Sequence, residues 1–176
     1  MPTGALRCAE LRAVRDTFRD TPLLTLCMES VCLRALRDTA RAMAKEKKVE
    51  VVRRLFDLWK EKPSDVPTDL IAPDFELVSP LSSVRGRPYR GYDDARQWAQ
   101  DVNEQFDEWA FTLDEIREVR GRVLALGHTH LKGRGSGVTL DPEGAWLVDF
   151  APDGRVSRMQ VFTDRDKALE AAGLSE

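Results

Sequence analysis

The second half of the chain is a succession of apolar runs cut by turns, and this pattern restricts the fold more than any other feature. Phe111 to Val119, Val123 to Lys132, Val138 to Phe150 and Val156 to Phe162 are rich in β-branched and aromatic residues and read as strands. The breaks between them fall at Gly121, at Gly133-Arg134-Gly135-Ser136-Gly137 and at Pro152-Asp153-Gly154, all of them turn signals. Consecutive long strands joined in this way form an antiparallel sheet.

Helices come before the sheet. Val49, Val52, Phe56 and Trp59 recur at three- and four-residue steps, with Glu50, Arg53, Arg54 and Lys60 between them, which predicts an amphipathic helix stopped by Pro63. A short second helix is expected across Pro67 to Ile71, closed by Pro73-Asp74, and Phe75 to Val78 reads as a strand ended by Ser79-Pro80. Arg85 to Gly91 is a turn-rich connector with room for a very short strand. Asp93 is the expected N-cap of the next helix, whose apolar side holds Ala95, Trp98, Ala99, Val102 and Phe106. The last helix spans Asp164 to Ala172, with Gly173 as its stop. Helices followed by a meander of strands define an α+β domain. A strongly bent sheet with helices on its concave side encloses a cavity, the structural reason to look for a ligand.

Composition excludes several partners. A formal net charge of −3 among 32% charged residues gives no basic stripe for nucleic acid. The longest apolar stretch, Leu23 to Met28, falls far short of the roughly 20 residues needed to span a bilayer, and it lacks the pattern of a signal peptide. Neither a nucleic-acid nor a membrane partner is expected. Cys8, Cys27 and Cys32 are odd in number and have no CxxC spacing, so the expected compartment is the reducing cytoplasm.

Residues 1–43 differ in character from the rest. They are Arg-rich, hold every cysteine, contain no lysine and have one aromatic, Phe18. Two helical pieces can be drawn there, roughly 5–19 and 28–42, but their apolar faces are too narrow to fold alone. The expectation is a helical or disordered extension, or an artefact of start-site choice with Met43-Ala44-Lys45 as the natural start. The domain proper is then 44–176.

The order of these elements resembles the SnoaL-like family of the nuclear transport factor 2-like superfamily. The resemblance rests on Val49 to Phe56, Pro73-Asp74-Phe75-Glu76, Tyr89-Arg90-Gly91-Tyr92, Gly133 to Val138, Asp153-Gly154-Arg155-Val156 and Asp164 to Leu174. It implies a cone-shaped roll, in which a curved antiparallel sheet wraps three N-terminal helices around a pocket. It also implies a homodimer and a small hydrophobic ligand, with no cofactor. The chemistry it suggests is a cofactor-free acid–base isomerase, cyclase or dehydratase; the alternative is a non-catalytic binding or dimerisation module of the same fold.

Each activity needs its own residues. Ketosteroid isomerisation requires a carboxylate base before a proline at the end of the first strand and an acid on the penultimate strand. Ser79 and Trp146 stand at those places, so that activity is expected to be absent. Asp149, between Val148 and Phe150, is the candidate acid–base carboxylate of a cyclase, although alternation puts it on the face opposite Trp146. His128 and His130 point the same way from one strand, and His128 is the second catalytic candidate. A metal would need a carboxylate such as Asp114 or Glu115 as third ligand, and no such centre is expected. The G-x-G of residues 133–137 precedes a strand rather than a helix and is read as a hairpin turn, not a phosphate loop. The pocket wall is expected to comprise Trp59, Ser79, Trp98, Trp146, Val148, Phe150 and Met159. For Trp59 and Trp98, simple core packing is the competing account.

Overall fold

The computed structural model describes residues 46–62 and 65–174. The extension, its cysteines and the start-site expectation lie outside the described residues, as does the helix-stopping Pro63. Helix α1 covers residues 46–61 and buries Val52, Leu55, Phe56 and Trp59, three of which lie on the stripe expected from the sequence. The expected helix at 67–71 is only a turn. Leu70 and Ile71 N–H both donate to the Pro67 carbonyl, and Ile71 is drawn into strand β1, Ile71–Val78.

Ser79-Pro80 does end β1, but it also starts a short helix, α2 (Pro80–Arg85), which the sequence reading does not include; the expected connector begins only at Arg85. Proline at its first turn and Gly86 beyond its end at φ +79° are ordinary start and stop signals. The very short strand β2 (Tyr89–Arg90) follows, then α3 (Gly91–Gln105). Asp93 does not cap α3. The N-cap is Arg90, whose N–H is accepted by Asp94 at 2.9 Å, while Asp93 pairs outward with Arg96.

Strands β3 (Phe106–Val119), β4 (Arg122–Gly133), β5 (Thr139–Leu140), β6 (Glu143–Phe150) and β7 (Val156–Phe162) complete the sheet, and α4 (Arg165–Ala172) ends the domain. Phe106 belongs to β3, not to the helix, and the run 138–150 is split at Asp141-Pro142. The strand order is β2-β1-β7-β6-β4-β3, with β5 beside β4. Pairing is antiparallel throughout except between β1 and β7, which run parallel. A register break between Ile71 and Glu76 accommodates Pro73, which cannot donate to a ladder.

Each face of the sheet has its own core. Trp146, Val148, Val123, Ala125, Met159 and Leu77 share one cluster with Phe56 of α1 and Trp98 and Val102 of α3. Leu124, Leu126, Ala145 and Leu147 lie on the other face, beneath Ala168 and Ala172 of α4. The alternation along β6 is therefore complete: even-numbered residues face α1 and α3, odd-numbered ones face α4.

Candidate functional site

Between α1, α3 and the first of these sheet faces lies a cavity of about 320 Å³. All four tryptophans of the chain, Trp59, Trp98, Trp109 and Trp146, line it together with Phe111. Their rings meet edge to face: Trp98 with Trp109 at 5.5 Å, and Phe111 with both Trp109 and Trp146 at 5.5 Å. Phe56 supports Trp146 from behind at 5.1 Å. Such contacts add to the stabilisation from burial and hold the wall in one arrangement.

Local folding explains how each group reaches the cavity. Trp59 comes from the apolar stripe of α1 and is oriented by its indole N–H, which donates to the Asp65 carbonyl at 3.2 Å. Trp109 donates to Asn103 Oδ1 at 2.7 Å, tying the start of β3 to α3. Gly144 on β6 leaves room for its neighbour: a Cβ there would lie 2.8 Å from the Trp146 ring. Ser79 enters at the break between β1 and α2. Position is stabilised beyond it by Arg85 at the end of α2, which ion-pairs with Asp94 of α3 at 3.0 Å and lies over the Tyr89 ring at 4.6 Å. Arg87 adds a second pair to Asp94 at 2.6 Å. The Arg87 hydrogen bond, then the Arg90 N–H, hold the Asp94 carboxyl well below the usual carboxylate range.

Five of the seven expected wall residues are on the cavity: Trp59, Ser79, Trp98, Trp146 and Met159. Val148 and Phe150 are not. Val148 is wholly buried in the core, and Phe150, at the far end of β6, lies under the Lys48 ammonium at 5.3 Å. The sequence reading omitted Trp109, Phe111, Thr129 and Leu131, which also line the cavity. The first two share strand parity, and starting β3 at Phe106 would have placed both on one face.

The two catalytic candidates are elsewhere. Asp149 is on the odd-numbered face of β6, and its carboxylate is gripped by Arg122 on β4. His128 is on the same side of the sheet, with Nδ1 2.9 Å from Asp114, while His130 pairs with Asp141 at 2.7 Å. Asp114 was one of the carboxylates expected near His128, but among the described residues no group of three metal-ligating side chains forms. The one ionisable residue bordering the cavity, among those described, is Glu143. It is exposed, and the alternation of β6 puts its side chain on the odd-numbered face with its register partner His128.

The family model of the SnoaL-like domain matches residues 52–159. No curated protein matches the sequence. Among solved structures, an NTF2-like protein of unknown function from Burkholderia pseudomallei K96243 superposes with a TM-score of 0.59 at 17% identity, covering 70% of this chain and 95% of its own. TerC, crystallised with polyporic acid, gives 0.59 at 16% identity over 72% of this chain and 98% of that one. A protein assigned as a SnoaL-like polyketide cyclase from Jannaschia sp. CCS1 gives 0.57 at 23% identity, covering 75% and 94%. At these identities the superpositions establish the shared fold, and the matched span, well over half of the chain, establishes the family. The chain belongs to the SnoaL-like domain family, with the fold of the NTF2-like proteins.

Proposed function

We propose that the protein holds a small hydrophobic molecule in the tryptophan-walled cavity, without a cofactor. The observation that carries this reading is the cavity itself: about 320 Å³ with aromatic and aliphatic walls and a few polar groups at defined points. Sites for small molecules have this size and composition. TerC, a structural neighbour, was crystallised with polyporic acid, which supports a small-molecule ligand for a protein of this fold.

A cofactor-free acid–base reaction, which the resemblance suggests, is the second reading. Against it stand the positions of Asp149 and His128, both paired on the opposite face of the sheet. Binding without turnover is therefore the stronger account. We take the working state to be a homodimer, as the resemblance implies, in the cytoplasm, as the odd and unspaced cysteines suggest. A net charge of −3 argues against nucleic acid as a partner, and among the described residues no helix is long and apolar enough to cross a membrane.

Native mass spectrometry of gently purified protein tests this. A reproducible extra mass that leaves on unfolding is the expected result, and a doubled mass would report the dimer. Folded protein that carries no ligand and binds no hydrophobic probe by calorimetry would reject the reading.

A further inference from the structure

The cavity wall carries a buried hydroxyl whose proton no described residue accepts. Ser79 is 6% exposed, and its Oγ–H has no acceptor. Ser79 and Ser82 stand as a capping box at the start of α2, the Ser79 oxygen turned to the Ser82 N–H. The Ser82 hydroxyl accepts the Ser79 N–H at 3.0 Å and reaches the Leu77 carbonyl at 3.4 Å. The Ser79 O–H is left on the cavity wall without an acceptor.

Indole rings surround it. Trp59 and Trp109 donate to Asp65 and Asn103, and Trp98 and Trp146, at 8% and 1% exposure, turn their rings to the same cavity. The strand register brings Ser79 and Trp146 onto one stretch of wall. Val78 faces Gln160 and Trp146 faces Val161, so Ser79, one step past Val78, flanks Val161 from the side opposite Trp146. Two strand spacings, roughly 10 Å, separate their backbones across β7.

Buried donors without partners are costly, and an acceptor brought by a ligand removes that cost. An anion would meet this need, but no cationic side chain lines the cavity to offset its desolvation. A protonated amine brings no acceptor and would leave the Ser79 O–H unpaired. We propose that the ligand is an uncharged ring compound bearing a carbonyl or ether oxygen, and that the Ser79 hydroxyl donates to that oxygen. Ser79 then selects the ligand. This rests on the cavity being the binding site proposed above, and it makes Ser79 a hydrogen-bonding anchor at a position where an isomerase would need a base.

Calorimetric titration with three molecules of one shape separates the possibilities: tetralone, its hydrocarbon tetralin, and the amine aminotetralin. Tetralone should bind the wild-type protein about five- to tenfold more tightly than tetralin, the effect of one buried hydrogen bond. Ser79→Ala should erase that preference and leave tetralin binding unchanged, which also shows that the variant's cavity is intact. Equal affinity of tetralone and tetralin for the wild type overturns the proposal, whether or not the variant folds. So does a preference that survives Ser79→Ala. Tightest binding by aminotetralin overturns it in favour of an aromatic box for cations. If none of the three binds folded protein, the cavity reading fails as well, a result distinct from binding without preference.

Discussion

Arg122 and Asp149 form a two-pronged ion pair across β4 and β6, Nε to Oδ1 at 2.5 Å and Nη2 to Oδ2 at 3.2 Å, on the sheet face opposite Trp146. Arg122 also donates to the Ala171 carbonyl at 3.0 Å, so the pair fastens the end of α4 to the sheet. The hydrogen bond to Asp149 raises the Arg122 guanidinium pKa above its ordinary value. The carboxylate that the sequence offers as an acid–base group is engaged in holding the fold.

Asp149→Asn should therefore cost stability and leave the cavity untouched. Both side chains are about a third exposed, at 32% and 29%, which limits the loss to about 1 kcal/mol. Urea unfolding reads that loss, and tetralone titration should be unchanged. A tenfold drop in ligand affinity with no loss of stability would place Asp149 in the binding chemistry after all.

His128→Ala and His130→Ala should leave ligand affinity within about twofold, a difference of ~0.4 kcal/mol. Their partners, Asp114 and Asp141, are on the same exposed surface, so little stability is at stake. Calorimetry on the two variants is the check; loss of binding in either would mean that the convex face communicates with the cavity.

Gly144→Ala should do more damage than a methyl group usually does. The added Cβ would lie 2.8 Å from the Trp146 ring and 3.1 Å from Thr129 Oγ1, so the indole must move. Overpacking of this kind costs about 1–3 kcal/mol. A lowered melting temperature, an altered near-ultraviolet tryptophan signal and weaker tetralone binding should appear together. An unchanged tryptophan signal would show that the wall yields elsewhere.

The α2–α3 junction should respond to pH at both extremes. Asp94 has a depressed folded pKa, so its contribution is full above the unfolded carboxylate value near ~4 and is lost as pH falls through the folded value. Asp94→Asn should cost about 2 kcal/mol at neutral pH, and the gap to wild type should close in strong acid. Tyr89 behaves with the opposite sign. Burial, then its hydrogen bond to Asp101, pushes its hydroxyl up to about 12. Stability from neutral Tyr89 is full below the unfolded value near ~10 and falls as pH rises through about 12. Denaturant melts across pH on wild type, Asp94→Asn and Tyr89→Phe test both limbs; parallel curves for all three would remove these groups from the account.

Strand periodicity and turn residues determined most of the fold without help. The run Val156 to Phe162 is β7 to the residue, and Gly173 ends α4 as expected, while Asp164, read as the first helical residue, is its N-cap and accepts from Asp166 and Lys167 N–H. Helix α1 follows from the spacing of Val52, Phe56 and Trp59. These features are local: a period, a cap or a glycine turn acts over a few residues, and the sequence states it directly.

Pairing and facing are not local, and only the tertiary structure decided them. The alternation of Phe106, Trp109 and Phe111 suits either the end of a helix or the start of a strand. Pairing with Gly133, Leu131 and Thr129 makes it strand and brings Trp109 and Phe111 to the cavity. The parallel join of β1 to β7 links residues more than eighty positions apart, setting Val78 beside Gln160, and delivers Ser79 to the cavity. Which partner satisfies a given polar group was decided in the same way. The sequence placed Ser79 on the expected wall, but that its O–H lacks an acceptor emerges only once the start of α2 and the aromatic wall have packed. A hydrogen bond left unmade depends on every atom within reach, and those atoms come together only in the folded chain.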